Sequence, residues 1–198
     1  INSCIKIFCY SENIKNFPNK LKNKIILIPS LLRKEFYLNK KNNDMGEEVN
    51  LLIIGGSQGA KLFDTVIQKT IIELSKKFKL NIFQQTNLNN IDNLKNFYLI
   101  NKIRSELFDF KQDISDFMNK SNLCITRAGA STLAELIFLN IPHIAIPLPI
   151  AKDNHQFENA LFYKQLGCNW ILNQNEIDEV KLVKKLVSII KNKEEYLD

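Results

Sequence analysis

Apolar runs of strand length alternate with segments of helical periodicity along most of this chain. Strands are predicted at 49–54, 80–85, 122–126, 143–148 and 168–172, and helices at 60–77, 113–120, 131–139, 153–166 and 176–191. Largely apolar strands separated by helices pair in parallel, with helices covering both faces of the sheet. The sequence therefore predicts an α/β fold built on a doubly wound parallel sheet.

A short leading piece is expected before this main domain. Further strands are predicted at 4–9, 25–28, 97–100 and 107–110. A polar stretch at 39–48 has neither helical nor strand periodicity and is typical of a linker. We therefore expect the tail of a preceding domain at 1–32 and the main domain at 33–198, and we expect the chain to be part of a longer protein.

Composition excludes several classes of protein. The chain has 198 residues, 45% of them apolar, and a formal charge of +6. Its apolar runs are too short for a membrane-spanning helix, which needs about 20 residues.

The charge comes from lysines spread along the chain, which indicates either a solvated surface or attraction to anionic lipid or phosphate groups. No nucleic-acid-binding motif is present, and two histidines with four scattered cysteines predict neither a metal site nor a disulfide framework. We expect no metal and no cofactor.

The turn at 55–59 (Gly-Gly-Ser-Gln-Gly) joins a predicted strand to a predicted helix. Backbone N–H groups at a helix start are unpaired and carry partial positive charge, so such a turn can bind phosphate groups. The turn lacks the Gly-Lys-Ser/Thr ending of a P-loop, and the next strand ends in Gln84 and Gln85, not in the acidic residue that holds the ribose of NAD. Two interpretations remain: a phosphate site to which Ser57 adds a hydroxyl, or glycines needed only for tight packing.

A second turn, at 127–131, leads into a helix that carries Thr132 and Glu135. Their three-residue spacing is that of a capping box, in which both side chains bind backbone N–H groups at the helix start. Alternatively, a carboxylate one turn into this helix, at the carboxyl edge of the sheet, could accept both hydroxyls of a ribose. The two interpretations use the same carboxylate oxygens.

A third segment, at 147–160, follows another apolar strand with prolines and then polar amides. Gln156 and Asn159 lie three residues apart on one face of the predicted helix, and amides both donate and accept, which suits the hydroxyls of a sugar. Alternatively, Asp153 caps the helix and Gln156 completes a capping box. We assign no catalytic role to His155.

Together these three segments resemble the MurG family, the UDP-N-acetylglucosamine transferases of peptidoglycan synthesis. The residues that carry the resemblance are 55–60, 126–135 and 153–160, each placed after a strand. The resemblance runs from about Arg33 to the last helix. It implies a glycosyltransferase fold of the B type, of which this chain is the Rossmann-like, donor-binding C-terminal half, preceded by the tail of the N-terminal acceptor domain.

The resemblance also implies a donor site for UDP-N-acetylglucosamine. The residues expected there are Arg33, Ser57, Gln58, Phe110, Lys111, Thr132, Glu135, Gln156 and Asn159. The arginine, the glycine turn and Thr132 would lie beside the diphosphate, and the backbone at 110–111 would hold the uracil edge. Glu135 would bind the ribose, and the two amides would bind the N-acetylglucosamine hydroxyls.

Parts of the family's pattern have no counterpart in this sequence. The glycine-rich N-terminal loop, with the histidine thought to act as base, is one of them, so no catalytic residue is expected in this chain. The complete protein would transfer the sugar to lipid-linked N-acetylmuramoyl-pentapeptide while bound peripherally to the cytoplasmic side of the bacterial inner membrane. This chain alone is expected to bind the donor and turn over poorly.

Three other functions remain as alternatives. The chain could be the donor-binding subunit of a split transferase, comparable to the N-acetylglucosaminyltransferase of dolichol-linked glycan synthesis. A UDP-sugar epimerase of related fold would need acidic and histidine residues around C2 of the sugar, and the sequence has no evident set. A purely structural α/β module would bind no nucleotide.

Overall fold

The computed structural model describes residues 4–12, 14, 17–38, 48–55, 60–109, 114–149, 154–167 and 169–192, with 60–64 and 169 as backbone alone. The strands in these ranges are β1 (Ile7–Cys9), β2 (Ile25–Leu27), β3 (Glu48–Ile54), β4 (Lys79–Gln85), β5 (Arg104–Phe108), β6 (Leu123–Thr126), β7 (His143–Ala145) and β8 (Asn169–Ile171). The α-helices are α1 (Lys34–Leu38), α2 (Ala60–Ser75), α3 (Leu88–Ile100), α4 (Ser115–Lys120), α5 (Ala130–Phe138), α6 (His155–Lys164) and α7 (Glu179–Lys191).

Six of these strands form one parallel sheet in the order β5-β4-β3-β6-β7-β8. The chain winds outward from β3 through β4 to β5, then returns to β6 beside β3 and winds outward the other way. The predicted doubly wound parallel sheet is confirmed. Reversal of the winding direction between β3 and β6 creates the crevice in which α/β proteins of this type bind ligands.

The central strands are buried on both faces, as their continuous apolar sequence predicts. Leu51 and Ile53 face a core made with α2, α3 and α7, whereas Leu52 and Ile54 face a second core made with α4 and α5. Side chains alternate between the faces of a strand, so each strand serves both cores. Complete burial of one such side chain contributes about 1.5–3 kcal/mol, so the sheet is a rigid base for the loops at its edge.

Residues 97–100 are not a strand; they form the last turn of α3. Leu94 and Tyr98 are buried four residues apart, which places them on one face of this helix. Leu99 and Ile100 are 72% and 76% exposed, so the apolar run that suggested a strand ends on the outer face. The expectation of a strand was wrong because tertiary packing at two positions outweighs local β propensity.

The leading residues form a sheet of their own, in which β1 and β2 pair in parallel with Ile7 opposite Ile25. Leu32, just before α1, already packs on the larger unit. The boundary between residues 32 and 33 stays a prediction. Within the described ranges, none of the helices combines the length and apolarity needed to cross a membrane.

Candidate functional site

The carboxyl ends of β3 and β6 lie side by side, with Ile54 opposite Thr126. The backbone N–H of Arg127 donates to the carbonyl oxygen of Ile54 at 3.1 Å and extends the pairing into the second glycine turn. After these strands the chain enters α2 on one face of the sheet and α5 on the other. The end of β3 and the turn after β6 therefore flank the crevice at the reversal point, and residues 56–59 of the first glycine turn lie outside the described part of the chain.

Two helices start at this edge without a side-chain cap from their N-cap residue. Gly129 is the N-cap of α5, and Asn154, in the left-handed conformation with φ 56°, is the N-cap of α6. Amide N–H groups in the first turn of a helix have no partner within the helix. Together with the helix dipole, they form a suitable environment for an anion such as a phosphate group.

Glu135 and Arg33 form a two-pronged ion pair at this site. Arg33 Nε donates to Glu135 Oε1 at 2.8 Å and Nη2 donates to Oε2 at 2.9 Å. The Glu135 side chain is 3% exposed, whereas that of Arg33 is 41% exposed. Paired hydrogen bonds of this kind are among the stronger and more directional ones in proteins. The resemblance to the MurG family implies a separate role for each residue, and the sequence contains no indication of their contact.

The same geometry rejects one interpretation of the α5 sequence. The helix begins at Ala130 after the N-cap Gly129, so Thr132 is already inside the first turn. The Glu135 carboxylate is bound to Arg33, with no role at the helix start. A capping box made by Thr132 and Glu135 is therefore wrong, and Thr132 lies half-buried on the turn that faces the crevice.

The two amides of α6 hold the loops of neighbouring strands. Gln156 Oε1 accepts a hydrogen bond from the backbone N–H of Leu148, after β7, at 2.9 Å. Asn159 Nδ2 donates to the carbonyl oxygen of Ala128, after β6, at 3.1 Å. Each amide therefore has one polar atom that is hydrogen-bonded to a loop. The other polar atom, Nε2 of Gln156 or Oδ1 of Asn159, has no partner among the described residues. The proposed alternative cap at Asp153 falls outside the described residues.

Arg127 is a residue of the site to which sequence analysis assigned no role. Its side chain is buried, and Nη1 donates to the carbonyl oxygen of Ile146 at 3.1 Å, which joins the turn after β6 to the end of β7. Burial lowers the pKa of the Arg127 guanidinium from its ordinary value. The sequence contains one signal of this role, since Arg127 directly follows an apolar strand. A cation buried at that position needs hydrogen-bond acceptors, and the adjacent loop supplies them.

The segment that leads into α1 lies against the site. The hydroxyl groups of Ser30 and Tyr163, on α6, are 2.7 Å apart and share a hydrogen bond. Phe36 is fully buried in the core beside α4 and α5, and the Arg33 guanidinium carbon lies 5.1 Å from the centre of its ring. Arg33 is therefore bracketed by two anchored residues. Four other predicted site residues, Ser57, Gln58, Phe110 and Lys111, lie outside the described part of the chain.

Comparison with protein families identifies this architecture. Residues 50–198 match the family model described as the glycosyltransferase family 28 C-terminal domain. The chain belongs to glycosyltransferase family 28. The match begins within β3 and includes the strand ends that form the crevice, whereas Arg33 and the segment leading into α1 precede it.

Two curated relatives of this chain carry the same name. The chain is 60% identical over 197 residues to the UDP-N-acetylglucosamine--N-acetylmuramyl-(pentapeptide) pyrophosphoryl-undecaprenol N-acetylglucosamine transferase of Pelagibacter ubique, and the match covers 100% of this chain and 55% of that protein. It is 37% identical to the transferase of the same name from Rickettsia bellii, over 96% of this chain and 56% of the relative. These matches confirm the resemblance to MurG. The family 28 chain spans about half the length of the curated relatives it matches.

A solved structure supports the same fold. The crystal structure of Acinetobacter baumannii MurG superposes with a TM-score of 0.69 at 24% identity, covering 88% of this chain and 48% of that one. At this level of identity the likeness concerns the fold alone, which is that of the C-terminal half of a B-type glycosyltransferase.

Proposed function

We propose that this family 28 chain is the donor-binding half of a MurG-type N-acetylglucosaminyltransferase. The observation that carries the proposal is the convergence of three features at one sheet edge. These are the reversal crevice between β3 and β6, two helix starts without side-chain caps, and the buried carboxylate of Glu135. A uridine diphosphate presents two negatively charged phosphates and a ribose diol, which suit the helix starts and the carboxylate respectively.

Each candidate residue has a proposed part in binding the donor. Glu135 accepts hydrogen bonds from the ribose hydroxyls, and Arg33, Thr132 and the glycine turn with Ser57 and Gln58 contact the diphosphate. The backbone at 110–111, Phe110 and Lys111, contacts the uracil edge. Nε2 of Gln156 and Oδ1 of Asn159 face the N-acetylglucosamine hydroxyls, since their other polar atoms already bind the loops.

In the proposed reaction the acceptor hydroxyl attacks C1 of the sugar from the face opposite UDP. A base outside this chain takes the hydroxyl proton, and the C1–oxygen bond to the diphosphate breaks with its electron pair on UDP. Helix starts stabilise that developing charge by about 0.3–1 kcal/mol each at exposed positions, and by more where water is excluded. The chain's own contribution is donor binding and stabilisation of the leaving group.

The complete protein is proposed to convert undecaprenyl-pyrophosphoryl-N-acetylmuramoyl-pentapeptide to its N-acetylglucosaminylated form in peptidoglycan synthesis. The names of the curated relatives support this acceptor. A lipid-linked acceptor requires work at a membrane surface, and the net positive charge favours an anionic leaflet. We therefore propose peripheral association with the cytoplasmic face of the inner membrane, and roles in cell-wall biogenesis, cell shape and division.

Calorimetric titration of the chain with UDP, UDP-N-acetylglucosamine and ADP tests the proposal. We expect both uridine nucleotides to bind and ADP to bind much more weakly. Glu135→Gln should weaken UDP binding, whereas Glu106→Gln, which removes an exposed carboxylate from β5, should not. Absence of heat with all three nucleotides would instead favour a structural module.

A donor-binding subunit of a split transferase is the alternative. Sequencing the natural reading frame upstream distinguishes the two. A glycine-rich, histidine-containing domain in the same frame supports a single-chain MurG-type enzyme, and a stop codon in its place supports a split one.

A further inference from the structure

The carboxylate proposed to bind ribose is covered by a side chain of the same protein. Each oxygen of Glu135 accepts one N–H of Arg33, and the Glu135 side chain is 3% exposed. Two ribose hydroxyls must come within about 3 Å of these oxygens to bind them. The ribose therefore needs space in front of the carboxylate that Arg33 occupies.

We infer that the Arg33–Glu135 ion pair is an autoinhibitory contact that the donor nucleotide displaces, so that donor binding loosens the segment leading into α1. This inference rests on the proposed function. The ribose hydroxyls replace Arg33 as hydrogen-bond donors to Glu135, and Arg33 transfers to the negatively charged diphosphate beside it. Glu135 keeps two hydrogen-bond donors and Arg33 gains an anionic partner, so neither charged group is left without hydrogen bonds.

Arg33 is the partner that moves. Glu135 lies on α5 between Ala134 and Leu136, which are both buried in the cores beneath that helix, so its backbone is fixed. Arg33 precedes the five-residue helix α1, and its side chain is 41% exposed. A long, partly solvated side chain changes rotamer at far lower cost than a packed helix shifts.

The displacement has a local effect on the backbone. The ion pair tethers Arg33 to α5, and the carbonyl oxygen of Arg33 accepts a hydrogen bond from the N–H of Phe36 at 3.1 Å, so loss of the tether loosens the first turn of α1. Ser30 remains bound to Tyr163, and the Phe36 ring remains buried. The loosening of the backbone is therefore confined to the residues between Ser30 and Phe36, which connect β2 to the donor site.

Hydrogen exchange of the unmodified chain tests the inference, with UDP and 2′,3′-dideoxy-UDP as probes at saturating concentration. We expect UDP to accelerate exchange of the Phe36 amide by about fivefold or more, the lower end of typical coupling between sites. The dideoxy nucleotide lacks the hydroxyls that compete for Glu135 and should leave that amide unchanged.

The outcomes separate this inference from the proposed function. If UDP binds more tightly than its dideoxy analogue but exchange at Phe36 is unchanged or slowed, the donor site stands and the displacement is wrong. If the two nucleotides bind equally, or neither binds, the ribose contact itself is wrong and the inference fails with it.

An independent test uses uridine, which has the ribose hydroxyls but no diphosphate. Arg33→Met uncovers Glu135, so uridine should bind about fivefold more tightly or better, while UDP gains less because it loses the arginine contact. Lys34→Met removes the same charge from the next, exposed residue and should change neither affinity. Weaker uridine binding by Arg33→Met would mean that Arg33 orients Glu135 for the ribose, which overturns the inference. The exchange experiment applies whether or not this variant folds.

Discussion

The side chain of Asn159 is hydrogen-bonded to the backbone of Ala128, 31 residues earlier, with Nδ2 donating to the carbonyl oxygen at 3.1 Å. Ala128 is fully buried in the turn after β6, whereas Asn159 lies on the first half of α6. One side chain therefore fixes a loop of the crevice and offers its remaining oxygen, Oδ1, to a ligand.

Replacement of Asn159 by alanine should lower both stability and sugar affinity. The buried carbonyl of Ala128 loses its donor, which costs about 1–3 kcal/mol in the free energy of unfolding. The affinity for UDP-N-acetylglucosamine should fall more than that for UDP, because only the former uses Oδ1. Urea unfolding and calorimetry measure the two effects. The control Asn93→Ala, at an exposed position of α3, should change stability by no more than about 0.5 kcal/mol; equal losses in both variants would contradict the prediction.

The sheet was predictable because its strands are apolar on both faces, which leaves few other ways to bury them. α3 was not, because only two of its residues, Leu94 and Tyr98, are fully buried and the adjacent Leu99 and Ile100 are exposed. Glycine turns and a carboxylate one turn into a predicted helix marked the site in the sequence. The ion pair of Glu135 with Arg33, 102 residues away, has no local pattern, since its geometry exists only after the sheet and α1 have packed.

Replacement of Gln156 by glutamate should separate its structural role from its proposed ligand role. Glutamate retains the oxygen that accepts the Leu148 N–H at 2.9 Å but exchanges the Nε2 donor for a second acceptor. The free energy of unfolding should therefore change little, while the affinity for UDP-N-acetylglucosamine relative to UDP falls about threefold to tenfold, as for one lost hydrogen bond. Calorimetry with both nucleotides gives this ratio. An unchanged ratio would show that Nε2 does not contact the sugar.

The stability of the chain should depend on pH through His143. This residue is fully buried on β7, and its Nδ1 donates to the carbonyl oxygen of Ile141 at 2.9 Å. Burial lowers the pKa of His143 from 6.5 to about 4. Between these values the unfolded chain binds a proton that the folded chain does not. Its contribution is complete above pH 6.5 and is lost as the pH falls towards 4, with a loss on the order of 3 kcal/mol.

Chemical unfolding at several pH values between 4 and 7 measures this dependence. His143→Asn retains a donor for the Ile141 carbonyl but does not titrate, so stability should vary less with pH than in the unmodified chain. Parallel curves for the unmodified chain and His143→Asn would assign the acid sensitivity to other groups.

Tyr98 and Gln84 should be coupled in stability. The Tyr98 hydroxyl on α3 donates to Oε1 of Gln84 on β4, and both side chains are buried. Tyr98→Phe takes a donor from Gln84, and Gln84→Leu takes the acceptor from Tyr98, so each should cost about 1–3 kcal/mol. The double variant removes both polar groups together and should cost less than the sum, with a coupling energy of about 0.5–3 kcal/mol. Additive losses in urea unfolding would contradict this pairing. If the coupling is found, Gln84 is committed to the core, which explains in physical terms why the end of β4 is unsuited to holding a ribose.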